Sequence, residues 1–159
     1  MAHNELSHVD ESGAARMVDV SAKEATARTA VATGVVRTTP EVVALVRGDD
    51  LPKGDALATA RLAGIMAAKR TPDLVPLCHP IALSGVKVQL ELGEAEVRIT
   101  ATVRTTDRTG VEMEALTAVT GAGLALHDMI KAVDPAAVLD AVRVERKEGG
   151  KTGTWTRPE

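Results

Sequence analysis

The sequence predicts an α+β domain in which helices cover one face of an antiparallel sheet. Residues 86–92 and 97–104 alternate apolar with polar side chains on either side of Gly93, as in a hairpin with one apolar face. Residues 53–70 and 111–133 are predicted to be helices with few charges in their middle. Because the hairpin lies between strand and helix segments on both sides, the element order favours one antiparallel sheet with helices on one side.

The first half of the chain is predicted to contain strand and then two helices. The strand-like region begins at Met17 and is richest in β-branched residues over 26–38. Thr39 and Pro40 are suited to begin a short helix that ends at Gly48. The next helix, residues 53–70, is capped by Asp55 and is apolar or small almost all the way round. We therefore expect it to be buried on most sides.

The second half is predicted to contain the hairpin, a long helix, a short helix and a final strand. Three prolines exclude a regular helix over residues 71–80. The long helix has no charge from Ala115 to Leu126, which is too short a stretch to cross a membrane and is expected to be buried in protein. Pro135 separates a predicted helix at 136–141 from a predicted strand at 142–147, and a glycine-rich tail follows.

Length and composition predict one globular domain. The chain has 159 residues, which we divide into a flexible tail at 1–15 and a single domain at 16–159. Hydrophobic residues make up 45%, yet there is no Phe or Tyr, and Trp155 is the one aromatic residue. The core must therefore be built from Val, Ala, Leu and Ile. Two nearly charge-free helices in so small a domain predict that contacts between subunits bury part of their surface.

Charge and cysteine content narrow the classes of function. Nineteen Lys and Arg residues against 22 Asp and Glu give a net charge of −3, the wrong sign for a general nucleic-acid binder. We find no apolar segment of the kind a signal peptide or membrane span needs. A single cysteine cannot form an internal disulfide, so the cytoplasm is the predicted compartment.

The stretch PLCHP, residues 76–80, admits several interpretations. A zinc site needs three or four converging ligands, and Cys78 has no second cysteine to join it. A nucleophile–base pair needs a hydrogen bond that sequence neighbours in extended backbone seldom form. Cys78 alone is well explained as a small buried hydrophobe. For His79 we favour a side chain that the prolines hold in one orientation, as an acid, a base or a phosphate donor.

Several lysines are candidates for an anion site. GGKTG at 149–153 is not a Walker motif, because Glu145 stands where the pattern needs glycine and no helix follows. Lys147 and Lys151 nevertheless flank two glycines whose bare backbone N–H groups can bind an anion. Lys53 lies just before a helix start, where amide groups attract anions. Solvated lysines are the alternative in each case.

The long helix carries acids at its start and an acid–lysine pair at its end. Glu112 and Glu114 in the first turn oppose the helix dipole, which explains them structurally. Asp128 and Lys131 have the spacing of a surface ion pair, but a desolvated pair at the end of a buried segment can have shifted pKa values. The sequence thus predicts an anionic-ligand site from Lys53, Arg108, Lys131, Lys147, Lys151, Glu112, Glu114, Asp128 and His79.

Four of these stretches resemble a known family. They are MVDVSAKEATARTA, KGDALATARLAGIMAAKRTPDLVPLCHPI, TGVEMEALTAVTGAGLALHDMIKAV and KEGGKTG, and the resemblance as a whole runs from about Leu6 to the tail. Their order and spacing resemble cyclic pyranopterin monophosphate synthase, the C protein of molybdenum cofactor biosynthesis. LCHP, GVEMEALTA and DMIKAV are the most specific segments.

The resemblance implies a fold, an assembly and a reaction. It implies a ferredoxin-like subunit in a homohexamer of three dimers, with active sites at subunit interfaces. The implied substrate, 3′,8-cyclo-7,8-dihydroguanosine 5′-triphosphate, is supplied by a radical SAM enzyme that acts on GTP, and transient contact with that enzyme is a hypothesis. The implied product is cyclic pyranopterin monophosphate, formed with release of pyrophosphate. No cofactor is implied, although Mg²⁺ can accompany the triphosphate.

The resemblance also implies roles for individual residues. It assigns catalysis to Asp128, with Lys131 and Lys53 completing a proton-transfer group. Substrate contacts are implied for Leu77, Cys78, His79, Met113 and Glu114, with Glu112 beside them, and triphosphate contacts for Arg28, Arg108, Lys147 and Lys151. His127 departs from the family, in which this position is aromatic, and no role is assigned to it.

Two other classes of function stay open on the sequence alone. A nucleotide-sensing module would bind ligand at subunit interfaces without turnover, and Asp128 and Lys131 would then be structural. A zinc hydrolase would need stoichiometric bound metal. Turnover distinguishes the first alternative from the synthase, and elemental analysis tests the second.

Overall fold

The computed structural model describes residues 7–51 and 53–159, in which one layer of helices packs on an antiparallel sheet. Part of the predicted flexible tail, residues 1–6, lies outside the described residues. The described elements, in chain order, are β1 (Thr26–Arg37), α1 (Pro40–Arg47), α2 (Ala56–Lys69), α3 (Thr71–Leu74), β2 (Gly85–Leu92), β3 (Glu96–Asp107), α4 (Glu112–Ile130), β4 (Val138–Glu148) and β5 (Trp155–Thr156).

The sheet has the order β2-β3-β1-β4-β5, with every neighbouring pair antiparallel. The two central strands, β1 and β3, are each followed by the helical segments that pack on the sheet, and β4 returns beside β1. This order is that of a ferredoxin-like α+β fold, which confirms the predicted fold class.

Side-chain alternation decides which face of the sheet is covered. On β3, Val97, Ile99, Ala101 and Val103 are buried, whereas Arg98 and Arg104 are exposed. Their β1 partners Val36, Ala32 and Ala30 are buried on the same face. The predicted hairpin and the predicted aliphatic core are both confirmed, since the buried cluster contains no aromatic residue among those described.

The two main helices pack closely because small residues line their contact. Asp55 caps α2 by accepting from the Ala58 N–H at 3.0 Å, as predicted. The buried positions of α2 are Ala56, Ala60, Gly64 and Ala68, a stripe at four-residue spacing. A Cβ on Gly64 would lie 2.9 Å from the Ala118 carbonyl oxygen of α4, so only glycine allows this approach.

Burial of α2 on most sides is wrong for the single subunit. Leu62 and Met66, one turn apart, are exposed, because α4 covers only the side of α2 that carries the small residues. The prediction for α4 is closer, since ten of its residues are buried, from Glu114 to Ile130, although Leu124 is exposed. Each helix therefore leaves at least one large apolar side chain in solvent.

Two local predictions are wrong. The predicted helix at 136–141 is instead the start of β4, because Val138 and Leu139 pair with Arg37 and Val36 of β1. A bulge at Ala141, with φ of 53°, lets β4 continue past the register shift. The strand-like sequence at 17–21 forms no strand. This segment runs along the surface instead, and its Val18 carbonyl oxygen accepts a hydrogen bond from His79.

The structure modifies two smaller expectations. One helical turn, α3, forms within the proline-containing stretch 71–80, with Pro72 in its first turn. Among the described helices, none has the length and apolarity that a membrane span requires.

Candidate active site

A cleft of about 340 Å³ at one end of the sheet collects four cationic side chains. Arg28 comes from β1, Lys147 from the end of β4, Lys151 from the turn that follows, and Lys23 from the segment before β1. Two carboxylates, Glu112 and Glu148, also line it. We call this the anion cleft, because its cations outnumber its carboxylates.

The turn at Gly149 and Gly150 closes one side of the anion cleft. Both residues have positive φ, 91° and 79°, which glycine adopts at little cost. A Cβ on Gly149 would lie 2.1 Å from the Ala27 carbonyl oxygen, and a Cβ on Gly150 would lie 2.5 Å from Arg28 Nη1. The bare backbone predicted to suit an anion is thus what allows the turn to fold over Arg28.

Glu112 joins the anion cleft to the start of α4. Its Oε1 lies 3.2 Å from Lys147 Nζ, and both side chains are about one third exposed. The pair therefore holds Lys147 against the first turn of α4, where Glu112 also meets the positive end of the helix dipole. A bound polyanion would compete with Glu112 for Lys147.

A larger and mostly apolar cavity of about 690 Å³ lies on the other side of the α4 N-terminus. We call it the loop cavity, because residues 75–79 form one wall, and its other lining residues are His8, Ala15, Thr109, Gly110, Glu112 and Met113. It shares Thr109, Gly110 and Glu112 with the anion cleft. An apolar cavity next to a cationic cleft suits a ligand with a ring system at one end and phosphates at the other.

Beneath the loop cavity, Glu114 is held by the cysteine of the PLCHP stretch. The Cys78 thiol donates to Glu114 Oε1 at 3.5 Å, and Glu114 is only 2% exposed. Its Oε2 has no hydrogen-bond partner among the described residues. Burial raises the pKa of Glu114, and burial together with the nearby Glu114 raises the pKa of Cys78 to about 11. Cys78 is therefore a protonated wall residue and not an activated nucleophile.

His79 has a fixed orientation, as the sequence predicts, but its partner lies outside the PLCHP loop. Its Nε2 is 2.6 Å from the Val18 carbonyl oxygen and donates to it. Leu77, Cys78, His79 and Met113 all line the loop cavity, so the structure brings together the side chains that the resemblance assigns to substrate. Glu114 supports this wall from behind and does not line it.

Asp128, Lys53 and Lys131 form a second group at the far end of α4. Asp128 Oδ2 accepts from Lys53 Nζ and Asp128 Oδ1 accepts from Lys131 Nζ, each at 2.8 Å. Hydrogen bonds from Lys131 and Lys53 lower the pKa of Asp128 to about 2. The packing of α2 on α4 creates this acid–lysine group, because Lys53 lies just before the α2 cap and Asp128 lies in the last turn of α4.

The acid–lysine group is not desolvated in one subunit. The side chains of Lys53, Asp128 and Lys131 are 44%, 53% and 53% exposed. The expectation of a buried pair is therefore wrong for the single chain, because no described element covers this end of α4. His127 contributes only its carbonyl oxygen here, which accepts from the Lys131 N–H at 2.9 Å.

The two groups lie at opposite ends of one helix. Glu112 and Asp128 are the first and seventeenth residues of α4, so about 24 Å of helix axis separates them. No proton transfer can link groups at that distance within one chain. One subunit thus contains two separate groups of candidate residues, the acid–lysine group and the pair of cavities at the α4 N-terminus.

Comparison with known proteins decides the family. The MoaC family model matches residues 17–150, from the segment before β1 to the glycine turn, and so includes the acid–lysine group and most of the residues that line the two cavities, though not His8, Ala15, Lys151 or Thr152. The chain belongs to the MoaC family. A Streptomyces coelicolor relative named cyclic pyranopterin monophosphate synthase is 68% identical over 152 residues, which is 96% of this chain and 89% of the relative.

Other relatives carry the same name. A Mycobacterium tuberculosis protein named cyclic pyranopterin monophosphate synthase 2 is 67% identical over 153 residues, covering 96% of this chain and 92% of its own length. A Corynebacterium efficiens protein named cyclic pyranopterin monophosphate synthase is 58% identical over 153 residues, covering 96% and 99%. The family resemblance found in the sequence motifs is confirmed.

Sequence reasoning missed the contribution of the segment before β1. Lys23, His8 and Ala15 line the two cavities, and none was a candidate. Lys23 stands within MVDVSAKEATARTA, a stretch that resembles the family but carries no local signal that marks Lys23 as a binding residue. Arg108, which was a candidate, is not among the residues that line the anion cleft.

Proposed function

We propose that this protein converts 3′,8-cyclo-7,8-dihydroguanosine 5′-triphosphate into cyclic pyranopterin monophosphate and pyrophosphate, as a step of molybdenum cofactor biosynthesis. The names of its MoaC-family relatives support the product. The observation that carries the proposal is the pairing of an apolar cavity with a cationic cleft across the α4 N-terminus. The purine-derived rings would occupy the loop cavity and the triphosphate the anion cleft.

The residue types fit the bond changes. Opening the guanine-derived ring and closing the pterin require several proton transfers, for which Asp128 can accept and Lys53 or Lys131 can donate. In the closing step a ribose-derived hydroxyl loses its proton and attacks the α-phosphorus, and the bond to the leaving pyrophosphate breaks. Arg28, Lys147 and Lys151 would stabilise the charge on that leaving group.

The proposal includes a site completed by a second subunit in a homohexamer of three dimers. Support comes from the length of α4 that separates the acid–lysine group from the two cavities, and from the exposure of the acid–lysine group. The exposed apolar residues Leu62 and Met66 on α2 give further support. The acid–lysine group of one chain would face the cavities of its neighbour, which would also desolvate Asp128.

Three further parts of the proposal concern conditions and partners. Catalysis requires no resident cofactor, and Mg²⁺ enters only with the triphosphate. The unpaired Cys78 supports a reducing, cytoplasmic location. The instability of the substrate supports a transient contact with the radical SAM enzyme that makes it.

The proposed reaction is tested by measuring pyrophosphate release from purified protein. We expect release with the cyclic dihydroguanosine triphosphate and none with GTP, since only the former has the ring system to be rearranged. GTP thus serves as the control for nonspecific phosphatase activity. Saturable binding of the cyclic substrate without pyrophosphate release would instead establish a ligand-sensing module.

The shared site is tested by mixing two inactive variants, Asp128→Asn and Lys147→Gln. Each variant alone lacks one part of every site, but a mixed pair contains one site, of its two, with both parts intact. After co-expression with two affinity tags, random pairing should restore about a quarter of the wild-type activity. Mixed oligomers that are present by mass spectrometry and yet remain inactive would show that each site is built from one chain.

A further inference from the structure

A short hairpin before β1 forms part of the wall of the loop cavity. We call residues 8–16 the N-terminal hairpin. Its two arms meet at an antiparallel bridge between Val9 and Ala15, and the Arg16 N–H donates to the His8 carbonyl oxygen at 2.9 Å. His8 and Ala15 line the loop cavity. The family model matches the chain from residue 17 onward, so the hairpin lies outside that match.

The turn of the N-terminal hairpin is closed by its own residues. Asp10 Oδ1 accepts from the backbone N–H groups of Ser12 and Ala14 at 2.8 and 2.9 Å. Gly13 has a φ of 83°, in the left-handed region that glycine adopts at little cost. A Cβ on Gly13 would lie more than 4 Å from every described atom outside its chain neighbours. A larger residue would therefore strain this turn without a steric clash.

His79 ties the segment after the N-terminal hairpin to the opposite wall of the cavity. Its Nε2 donates to the Val18 carbonyl oxygen at 2.6 Å, two residues beyond the end of the hairpin. The hairpin is thus held next to the wall formed by residues 75–79. The same contact restricts the His79 ring, because one of its two nitrogens is bound to backbone.

His8 and His79 carry the only planar rings among the described residues that line the loop cavity. The chain has no Phe or Tyr, and Trp155 does not line this cavity. Flat heteroaromatic ligands are often bound by stacking on planar side chains, and imidazole is one of the rings that proteins use for this. Since the His79 ring is bound to Val18, the exposed His8 ring is the better placed of the two to stack on a ligand.

We propose that His8 determines specificity for the ring system of the substrate, which stacks on its imidazole in the loop cavity. The inference rests on the proposed function in taking a purine-derived ring system as the occupant of this cavity. The turn of the N-terminal hairpin positions this imidazole, so Asp10 and Gly13 act through His8. His8 does not line the anion cleft, so a ligand without rings gains nothing from it.

The test compares GTP with inorganic triphosphate as probes, with binding measured by calorimetry on the full chain. GTP has purine rings and a triphosphate, whereas inorganic triphosphate has no ring. We expect His8→Ala to weaken GTP binding about tenfold, as for loss of one base–aromatic stack, and to leave triphosphate binding unchanged. Glu11→Ala, at an exposed hairpin residue that does not line the cavity, is the matched control and should bind both probes like wild type.

His8→Phe and His8→Gln separate stacking from hydrogen bonding. Phenylalanine keeps a planar ring but has no ring nitrogen, so GTP affinity should stay within about threefold of wild type. Glutamine keeps hydrogen-bonding groups but has no ring, so it should lose as much affinity as alanine. A loss with phenylalanine as large as that with alanine would overturn the inference.

Gly13→Val tests whether the N-terminal hairpin presents His8. Valine is strained at positive φ and asparagine tolerates it, so Gly13→Val should weaken GTP binding and Gly13→Asn should not. The double variant of Gly13→Val and His8→Ala should bind GTP no worse than His8→Ala alone, because both changes remove the same contact. Losses that multiply would overturn the positioning role of the turn.

Two further outcomes would overturn the inference. If wild type binds GTP no more tightly than inorganic triphosphate, the loop cavity does not hold the rings. If His8→Ala weakens the binding of both probes equally, His8 does not act on the ring system. Because binding of either probe needs no turnover, a ring-dependent loss without pyrophosphate release from the cyclic substrate would overturn the proposed reaction and leave this inference standing.

Discussion

Replacing Asp128 with asparagine is expected to lower kcat for pyrophosphate release by about 10²- to 10⁴-fold, the usual contribution of a proton-transfer group. Asparagine keeps the shape of the side chain but cannot accept a proton from substrate. It also removes the negative charge that holds Lys53 and Lys131 at 2.8 Å. The pKa of Asp128 is about 2, so the wild-type carboxylate is ionised at neutral pH and the loss should persist from pH 6 to 9.

Asp140→Asn is the matched control for this substitution. Asp140 is 51% exposed and pairs with Arg37 at 2.8 Å, which closely resembles the exposure and pairing of Asp128. Since exposed ion pairs contribute little to stability, both variants should fold as judged by circular dichroism, and only Asp128→Asn should lose activity. Retention of more than half the activity in Asp128→Asn would remove Asp128 from the mechanism.

Replacing Glu114 with glutamine is expected to change how stability depends on pH. Burial raises the folded-state pKa of Glu114 above its ordinary value of 4.5. At pH values between the unfolded-state and folded-state pKa, the folded protein therefore holds a proton that the unfolded chain has lost, and this part of the stability falls as pH rises through the folded-state pKa. The slope for one such carboxyl is about 1.4 kcal/mol per pH unit. Glutamine does not titrate, so the stability of the variant relative to wild type should increase as pH rises from about 4.5 through the folded-state pKa.

Urea unfolding at several pH values measures this effect, and Glu145→Gln supplies a control of opposite sign. A hydrogen bond from Thr33 and one from Arg143 lower the pKa of Glu145, so its contribution is present at neutral pH and is lost in acid. Glu145→Gln should therefore be less stable than wild type at neutral pH. Parallel pH curves for wild type and Glu114→Gln would show that Glu114 does not titrate in this range.

The parts of the fold that were predictable are those with a local signal. Thr39, Asp55 and the alternating residues of the hairpin each specify their element through nearby residues. The helix predicted at 136–141 is wrong because Leu139 takes its conformation from Val36, about one hundred residues earlier in the chain. The exposure of Leu62 could not be predicted from the sequence either, since it depends on how much of α2 is covered by α4.

For the candidate site, the sequence predicts which residue types take part better than it predicts which of them contact one another. Asp128 and Lys131 are neighbours in sequence, and their ion pair is confirmed. Lys53 meets Asp128 across 75 residues, and only the family resemblance placed them together. The position of the segment before β1, residues 7–25, could not be predicted. His79 and Arg108 bind it through the backbone carbonyls of Val18 and Lys23, and every residue type carries such a carbonyl.

The aliphatic core has an optical consequence. With no Tyr or Phe in the chain, Trp155 is the only source of intrinsic fluorescence. Trp155 pairs with Lys147 across β5 and β4, and the Arg157 guanidinium lies 5.7 Å from the centre of its ring. A single indole thus reports on the strand that carries a cleft lysine, with no second emitter to obscure it. The protein carries a built-in probe one strand away from its anion cleft.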